Sequence, residues 1–349
     1  MSGPSVQACA LFVEAFDRLA AIVRERLELE WRYHKRSDLE RLGGEILDHA
    51  VEFGNLLRVA YRHGLMGVLE DETSWFAAAL RSRGSEQDAL TLLLDSWVVA
   101  IQGVIKPPEC NELSQPLQRL RADLPRILEL ARARYGTPPA EEIQALVRCL
   151  TEGDFDASQA VIQSALRAGT SPAAVITEWF LPAMREVGRR WENGELAIFE
   201  EHLATETLRR LLAALPFSVD KTEPIGRTAV VSCVPGDQHQ LLPLALGVFL
   251  ELRGWRVRSL GGGLPPDEIA AAVVKFHPAA LFLSFPMLSR LDEALETVAR
   301  VLGKQAQCRI FFGGRGAVAA RAVLERAGAG IATDFEEAHR AALEEAARA

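Results

Sequence analysis

Val230-Val-Ser-Cys-Val-Pro-Gly-Asp-Gln-His-Gln-Leu-Leu-Pro243 decides how the end of this chain folds. A mostly apolar, β-branched run over 229–234 stops at Pro235-Gly236, and a short polar stretch leads into an apolar segment over 241–252. That order reads as strand, tight loop, helix. The pattern then repeats: strand-like runs at 228–234, 256–260, 279–284 and 309–312 alternate with helix-like runs at 240–253, 266–276, 288–302 and 317–327. A fifth short strand near Gly330-Ile331 precedes a terminal helix. Alternation at this pitch predicts a multidomain chain that ends in an α/β, doubly wound parallel sheet of Rossmann-like type over 225–349. Ligands bind such sheets outside the carboxyl ends of the strands, and Asp237 and His239 sit in the first of those loops. A carboxylate beside an imidazole takes the proton of one ring nitrogen and leaves the other for a metal, although a polar loop with a solvated histidine has the same composition. Gly261-Gly-Gly263 after the second strand is either a place for a bulky ligand to approach backbone or a flexible loop.

Everything before residue 220 lacks strand character. Apolar residues recur at three- and four-residue steps over 6–36, 39–63, 74–83, 86–104 and 113–135, with Gly64, Gly67, Gly84 and Pro107-Pro108 between segments. About five helices predict an all-α amino-terminal domain over 1–136, globin-like or a bundle, in which Arg32, His34, Lys35 and Arg36 form a solvated helix end. Residues 136–139, with two prolines, read as a linker. Helical segments at 141–152, 157–168, 172–193 and 196–215 then predict a four-helix bundle over 140–217, its third helix opened by Ser171 as N-cap and Pro172 at the first position. Residues 221–226 are a polar tether.

Composition narrows the function classes. A chain of 349 residues with 49% hydrophobic and 25% charged residues is long enough for two or three soluble domains. A formal charge of -8 argues against a broad nucleic-acid-binding surface. Glu14 and Asp17 interrupt the apolar start, no run reaches the length of a membrane span, and five scattered cysteines without C-x-x-C fit a reducing cytoplasm. No (β/α)8 pattern that could hold a substrate over a cofactor is present in the sequence.

From Asp237-x-His239-x-x-Leu242, 41 residues intervene before Ser284-Phe285-Pro286, and another 26 before Gly313-Gly314. This resembles the cobalamin-binding signature of methionine synthase, the cobalamin-dependent mutases and their relatives, Asp-x-His-x-x-Gly, Ser-x-Leu and Gly-Gly. Leu242 stands for the first glycine and Pro286 for the leucine. The resemblance, which covers about 225 to 345, implies that His239 is the lower cobalt ligand and Asp237 its orienting partner. It also implies that Ser284, Gly313 and Gly314 make room for the nucleotide tail.

A second stretch, Trp191-Glu-Asn-Gly-Glu-Leu-Ala-Ile-Phe-Glu-Glu-His202, turns at Gly194 between two predicted antiparallel helices. Trp191 and Glu201-His202 then share one end of the bundle; taken alone, they read as a core aromatic and a solvated helix face. Trp, nine residues, Glu-His resembles the light-sensing, adenosylcobalamin-dependent regulators of the CarH type, in which these residues cover the upper face of the corrin. Those receptors place His directly after the Trp to take the cobalt after light; this chain has Glu192. They also begin with a winged-helix DNA-binding domain, whereas 1–135 here reads as all-helical. The order of helical sensor-like domain, bundle and cobalamin domain resembles the photocobilin photoreceptors, which implies biliverdin as a second chromophore. His34, His49, Arg58, Tyr61, Arg62 and His63 are its candidate contacts by chemistry alone. The resemblance thus implies a non-enzymatic light sensor that binds adenosylcobalamin base-off and His-on. It would answer photolysis by a change in domain arrangement, by homo-oligomerisation or through a partner protein, with no membrane and no direct nucleic-acid contact. The alternative is a corrinoid carrier that shuttles a methyl group between methyltransferases.

Overall fold

The computed structural model describes residues 3–33, 45–81, 86–133, 139–220, 222–305 and 307–344, so the expectations for His34, Lys35, Arg36, Gly84 and most of the 136–139 linker lie outside the described residues. The chain divides into two compact units, one of residues 1–137 with 189–197, the other of 138–188 with 198–349.

The first unit contains, among the described residues, six helices: α1 (Val6–Tyr33), α2 (Glu45–His63), α3 (Leu69–Arg81), α4 (Glu86–Val104), α5 (Glu109–Ala122) and α6 (Leu124–Ala133). Ala8, Phe12, Phe16, Leu19, Val23 and Leu27 line one stripe of α1 and are buried. Phe12 meets Tyr61 edge-on at 4.9 Å, and Phe16 stacks on Trp97 at 6.1 Å. The Trp97 indole lies so close to α2 that a Cβ at Gly54 would fall 2.2 Å from it. Only a residue without a side chain lets the two helices approach this far. The single helix expected over 113–135 is two. Pro125 has no N–H for the carbonyl of Arg121, so the chain breaks at Asp123 and restarts at Leu124.

The second unit begins with α7 (Glu141–Thr151) and α8 (Phe155–Arg167). Residues 172–192 form α9, made of Pro172–Ala174, a π-helical stretch Val175–Phe180 and Leu181–Glu192; its last residues, from 189, group with the first unit. α10 (Ile198–Ala214) follows. Asp154 and Ser171 cap α8 and α9, accepting from the N–H groups of Ala157 and Ala174. The π stretch precedes Pro182, which cannot donate to the carbonyl of Glu178; Leu181 N–H instead bonds five residues back, to Ile176.

Five parallel strands follow, β1 (Thr228–Cys233), β2 (Arg256–Gly261), β3 (Ala280–Ser284), β4 (Arg309–Gly313) and β5 (Gly330–Ile331), in the order β2-β1-β3-β4-β5. Between them run α11 (Leu241–Glu251), α12 (Pro266–Phe276), α13 (Leu291–Lys304), α14 (Arg315–Ala319) and α15 (Arg321–Arg326), and α16 (Phe335–Glu344) closes the chain. The helix expected over 317–327 is thus two short ones that start at Arg315. β3 is buried along its whole length, as a central strand covered on both faces must be, while the edge strand β2 carries Arg256 and Arg258 outward. The tether is held to the turn between α11 and β2: Thr222 Oγ1 donates to Leu252 O and Ile225 N–H to Gly254 O. This order reverses direction between β1 and β3, and the crevice at that switch point is where the fold receives ligands.

Candidate functional site

β1 ends in a turn in which Pro235 and Gly236, at φ 79°, occupy the central positions and Asp237 N–H returns to Val234 O. The turn buries the Asp237 side chain completely while the His239 ring stays 60% exposed. Oδ1 of Asp237 accepts twice, from the backbone N–H of His239 at 2.7 Å and from its Nδ1 at 2.8 Å. The ring is thereby fixed in direction, with its Nε2 outside that pair. The bond to Asp237 raises the His239 pKa; burial opposes this, and the charges of Asp237 and Glu201 add to the rise. Among the described residues no three His, Cys, Asp or Glu side chains gather as a metal cluster. A lone imidazole of this kind suits a metal whose equatorial donors come with a macrocycle.

His239 lines a cavity of about 520 Å³ to which α9 and α10 contribute Met184, Val187, Gly188, Glu201, His202 and Thr205. Thr205 Oγ1 donates to Glu201 Oε1 at 2.8 Å, and His202 Nε2 lies 3.9 Å from Glu201 Oε2. The structure therefore brings together Glu201, His202 and His239. Trp191 lies at the end of α9 in the segment grouped with the first unit, as does Glu192. Thr205 and Arg209, which also line this cavity, were missed in the sequence, although Glu201, Thr205 and Arg209 recur at four-residue steps on one face of α10.

A second cavity, about 320 Å³, runs behind β3 and β4. Ser284, the last residue of β3, pairs with Cys233 on one side and Gly313 on the other, so the three stand in one row at the crevice. Ser284 borders both cavities, and its hydroxyl is buried without a hydrogen-bond partner. Gly314, at φ 109°, could carry no side chain: a Cβ there would stand 2.8 Å from Phe285 O. At Gly313 a Cβ would lie 3.4 Å from Ala332 O. An orphaned hydroxyl and glycine walls beside an apolar cavity fit a buried nucleotide tail. Leu242, where the signature has glycine, also borders both cavities.

Burial raises the pKa of Cys233 to about 12 and of Cys308 to about 11, so neither is a nucleophile near neutrality. Of the bilin candidates within the described residues, Tyr61 is buried and donates to Leu113 O, and Arg58 lies over the Phe16 ring; both take part in the packing of α1, α2 and α5. His49, Arg62 and His63 lie on α2.

Residues 142–215 and 227–345 each match a family model described as a B12 binding domain. The chain carries two B12-binding domains in tandem. They hold Glu201, His202, Asp237, His239, Ser284, Gly313 and Gly314, while Trp191 also lies inside the first match. The chain is 30% identical over 164 residues to the HTH-type transcriptional repressor CarH of Myxococcus xanthus, a match that covers 46% of this chain and 53% of that protein. It therefore spans about half the length of that relative. It is 25% identical over 181 residues to the trimethylamine corrinoid protein of Methanosarcina barkeri, covering 50% of this chain and 83% of that one. Among solved structures, the monomethylamine corrinoid protein of Methanosarcina barkeri superposes with a TM-score of 0.51 at 20% identity, over 58% of this chain and 98% of that one, a likeness of fold. Among the described residues no helix is long and apolar enough to cross a membrane.

Proposed function

We propose that this chain is a light sensor that holds adenosylcobalamin base-off, with His239 as the lower cobalt ligand, and answers light by a change in domain arrangement or self-association. The observation that carries the reading is the shared cavity: an imidazole fixed by a buried carboxylate lies in the same cavity as Glu201 and His202. Bound adenosylcobalamin would supply a cobalt–carbon bond that visible light breaks. The chain's own residues do the rest. Asp237 sets the tautomer and basicity of His239, Ser284 and the glycines at 313 and 314 accommodate the tail, and Glu201 offers a carboxylate to the upper ligand. Trp191 joins this set by the Trp, nine residues, Glu-His pattern, as a flat apolar surface for the adenosyl group. Relatedness to CarH supports the same reading.

The corrinoid proteins of similar identity favour a second reading, a methyl carrier that passes its upper ligand to a partner enzyme. A carrier wants an open upper face; a sensor wants an adenosyl group held. Trp191→Ala separates the two. On the sensor reading, it lowers affinity for adenosylcobalamin by roughly tenfold, as loss of one aromatic contact does, and leaves methylcobalamin and hydroxocobalamin binding nearly intact. Equal losses for every upper ligand, measured by absorbance titration, would remove the sensor reading. Biliverdin as a second chromophore rests on domain order, and a red absorption band on adding the bilin to purified protein is its test.

A further inference from the structure

The tail cavity has a character of its own. Its floor is aromatic and aliphatic: Phe282 and Phe311 stack at 5.5 Å with planes 20° apart, and Leu181, Met184, Leu242 and Phe312 close around them. The polar groups in its wall are mostly committed elsewhere. Thr333 Oγ1 donates to Glu337 and Asp334 Oδ1 accepts from Glu337 N–H, both as part of the cap of α16. Arg185 stands exposed at the rim. Inside, the Ser284 hydroxyl is buried and unpartnered. The side chains of the interior thus offer flat apolar surface and one buried hydroxyl without a partner.

Corrinoids differ in the base that ends their nucleotide tail, and these bases differ in polarity. A dimethylbenzimidazole released from cobalt has one ring nitrogen that accepts a hydrogen bond, and the rest of it is apolar. An adenine presents further ring nitrogens and an exocyclic amine. A buried polar group left without a partner weakens binding by roughly ten- to a hundredfold.

We propose that this chain selects its corrinoid by the lower base, taking dimethylbenzimidazole and rejecting adenine, and that Leu242 is a residue that sets this selection. The proposal rests on the cobalamin reading above. Leu242, like Met184 and Ser284, borders both the tail cavity and the cavity of His239. Replacing Leu242 by the glycine of the signature removes a side chain from beside the tail cavity and leaves room for a water that satisfies a purine edge.

Titration of the full chain with adenosylcobalamin, with its analogue carrying adenine as lower base, and with adenosylcobinamide, which lacks the nucleotide, tests this. The expected order places adenosylcobalamin at least about tenfold above the adenine analogue, the loss of one unpaired polar group. Cobinamide falls below adenosylcobalamin as well. In Leu242→Gly the gap between the two bases shrinks by roughly tenfold while adenosylcobalamin still binds. Leu242→Ala, with thermal melts of both variants, gives the same direction in a chain with less backbone freedom. Equal affinity for the two bases in the unsubstituted chain overturns the proposal and leaves cobalamin binding standing. An unchanged gap in both folded variants overturns the role of Leu242. Failure of all three ligands to bind removes the cobalamin reading and the proposal with it.

Discussion

Asp237 spends one oxygen on two donors of the same residue, the N–H and Nδ1 of His239, and keeps both in a turn that excludes water from the carboxylate. Its charge favours the imidazolium, so His239 holds its proton to a higher pH than a free imidazole does. The pair's contribution to the stability of the ligand-free protein is therefore full below about pH 6.5 and fades as pH rises through the raised value. Asp237→Asn removes the charge but retains an acceptor. NMR titration of the ligand-free variant should place the His239 midpoint lower than in the unsubstituted chain, and cobalamin affinity should fall by roughly 10- to 100-fold, as for loss of an orienting partner. An unchanged midpoint would mean that the carboxylate does not govern the ring. At this scale the strand pattern was informative: Asp237 and His239 lie in the loop after β1 and Ser284 is the last residue of β3. Glu201 and His202 reach the His239 cavity from a helix distant in sequence, which spacing alone could not tell.

Among the elements, α16 carries the second titrating device. Trp255 Nε1 donates to His339 Nδ1 at 2.9 Å, which requires that nitrogen to be unprotonated. Burial, and then the charge of Arg253, hold the His339 pKa below the ordinary imidazole value, with Glu336 opposing. A histidine depressed in the folded state costs stability as pH falls through the unfolded value near 6.5, and the cost stops growing below the folded value. His339→Gln keeps an acceptor for Trp255 without a titrating ring. Urea denaturation should show the unsubstituted chain losing more stability between pH 7.5 and 5 than the variant. Parallel losses would contradict the assignment. The strands and most helices were legible because β-branched runs and three- and four-residue steps are strong signals. The break in the helix expected over 113–135 has a local cause: Pro125 removes one N–H inside an otherwise helical pattern. The helix expected over 172–193 is present, and Pro182 accompanies its π-helical stretch. The glycines at 313 and 314 show why a motif can survive where periodicity fades, since at Gly314 any side chain meets backbone.

At the scale of the molecule, the regions that match B12 binding domains and the helices of the amino-terminal unit are separate stretches of sequence, and the sensor reading asks one ligand event to act on more than one of them. A ligand shifts a conformational equilibrium only through contacts that differ between its states. On the sensor reading, loss of the adenosyl group removes the contacts proposed for Glu201 and His202 while leaving His239 in place. Light scattering of the cobalamin-loaded chain should therefore give a different mass or radius after illumination, and identical values in dark and light would remove the proposed output. The absorption spectrum of the adenosylcobalamin-loaded protein, before and after green light and beside His239→Ala, decides whether His239 holds the cobalt of a photolabile cofactor. A base-off, imidazole-ligated spectrum is expected in the dark and should change irreversibly with light, and in the variant the dark spectrum should move towards water or base-on ligation with weaker retention. A variant spectrum identical to that of the unsubstituted chain, or an unsubstituted chain whose spectrum light leaves unchanged, would contradict that role.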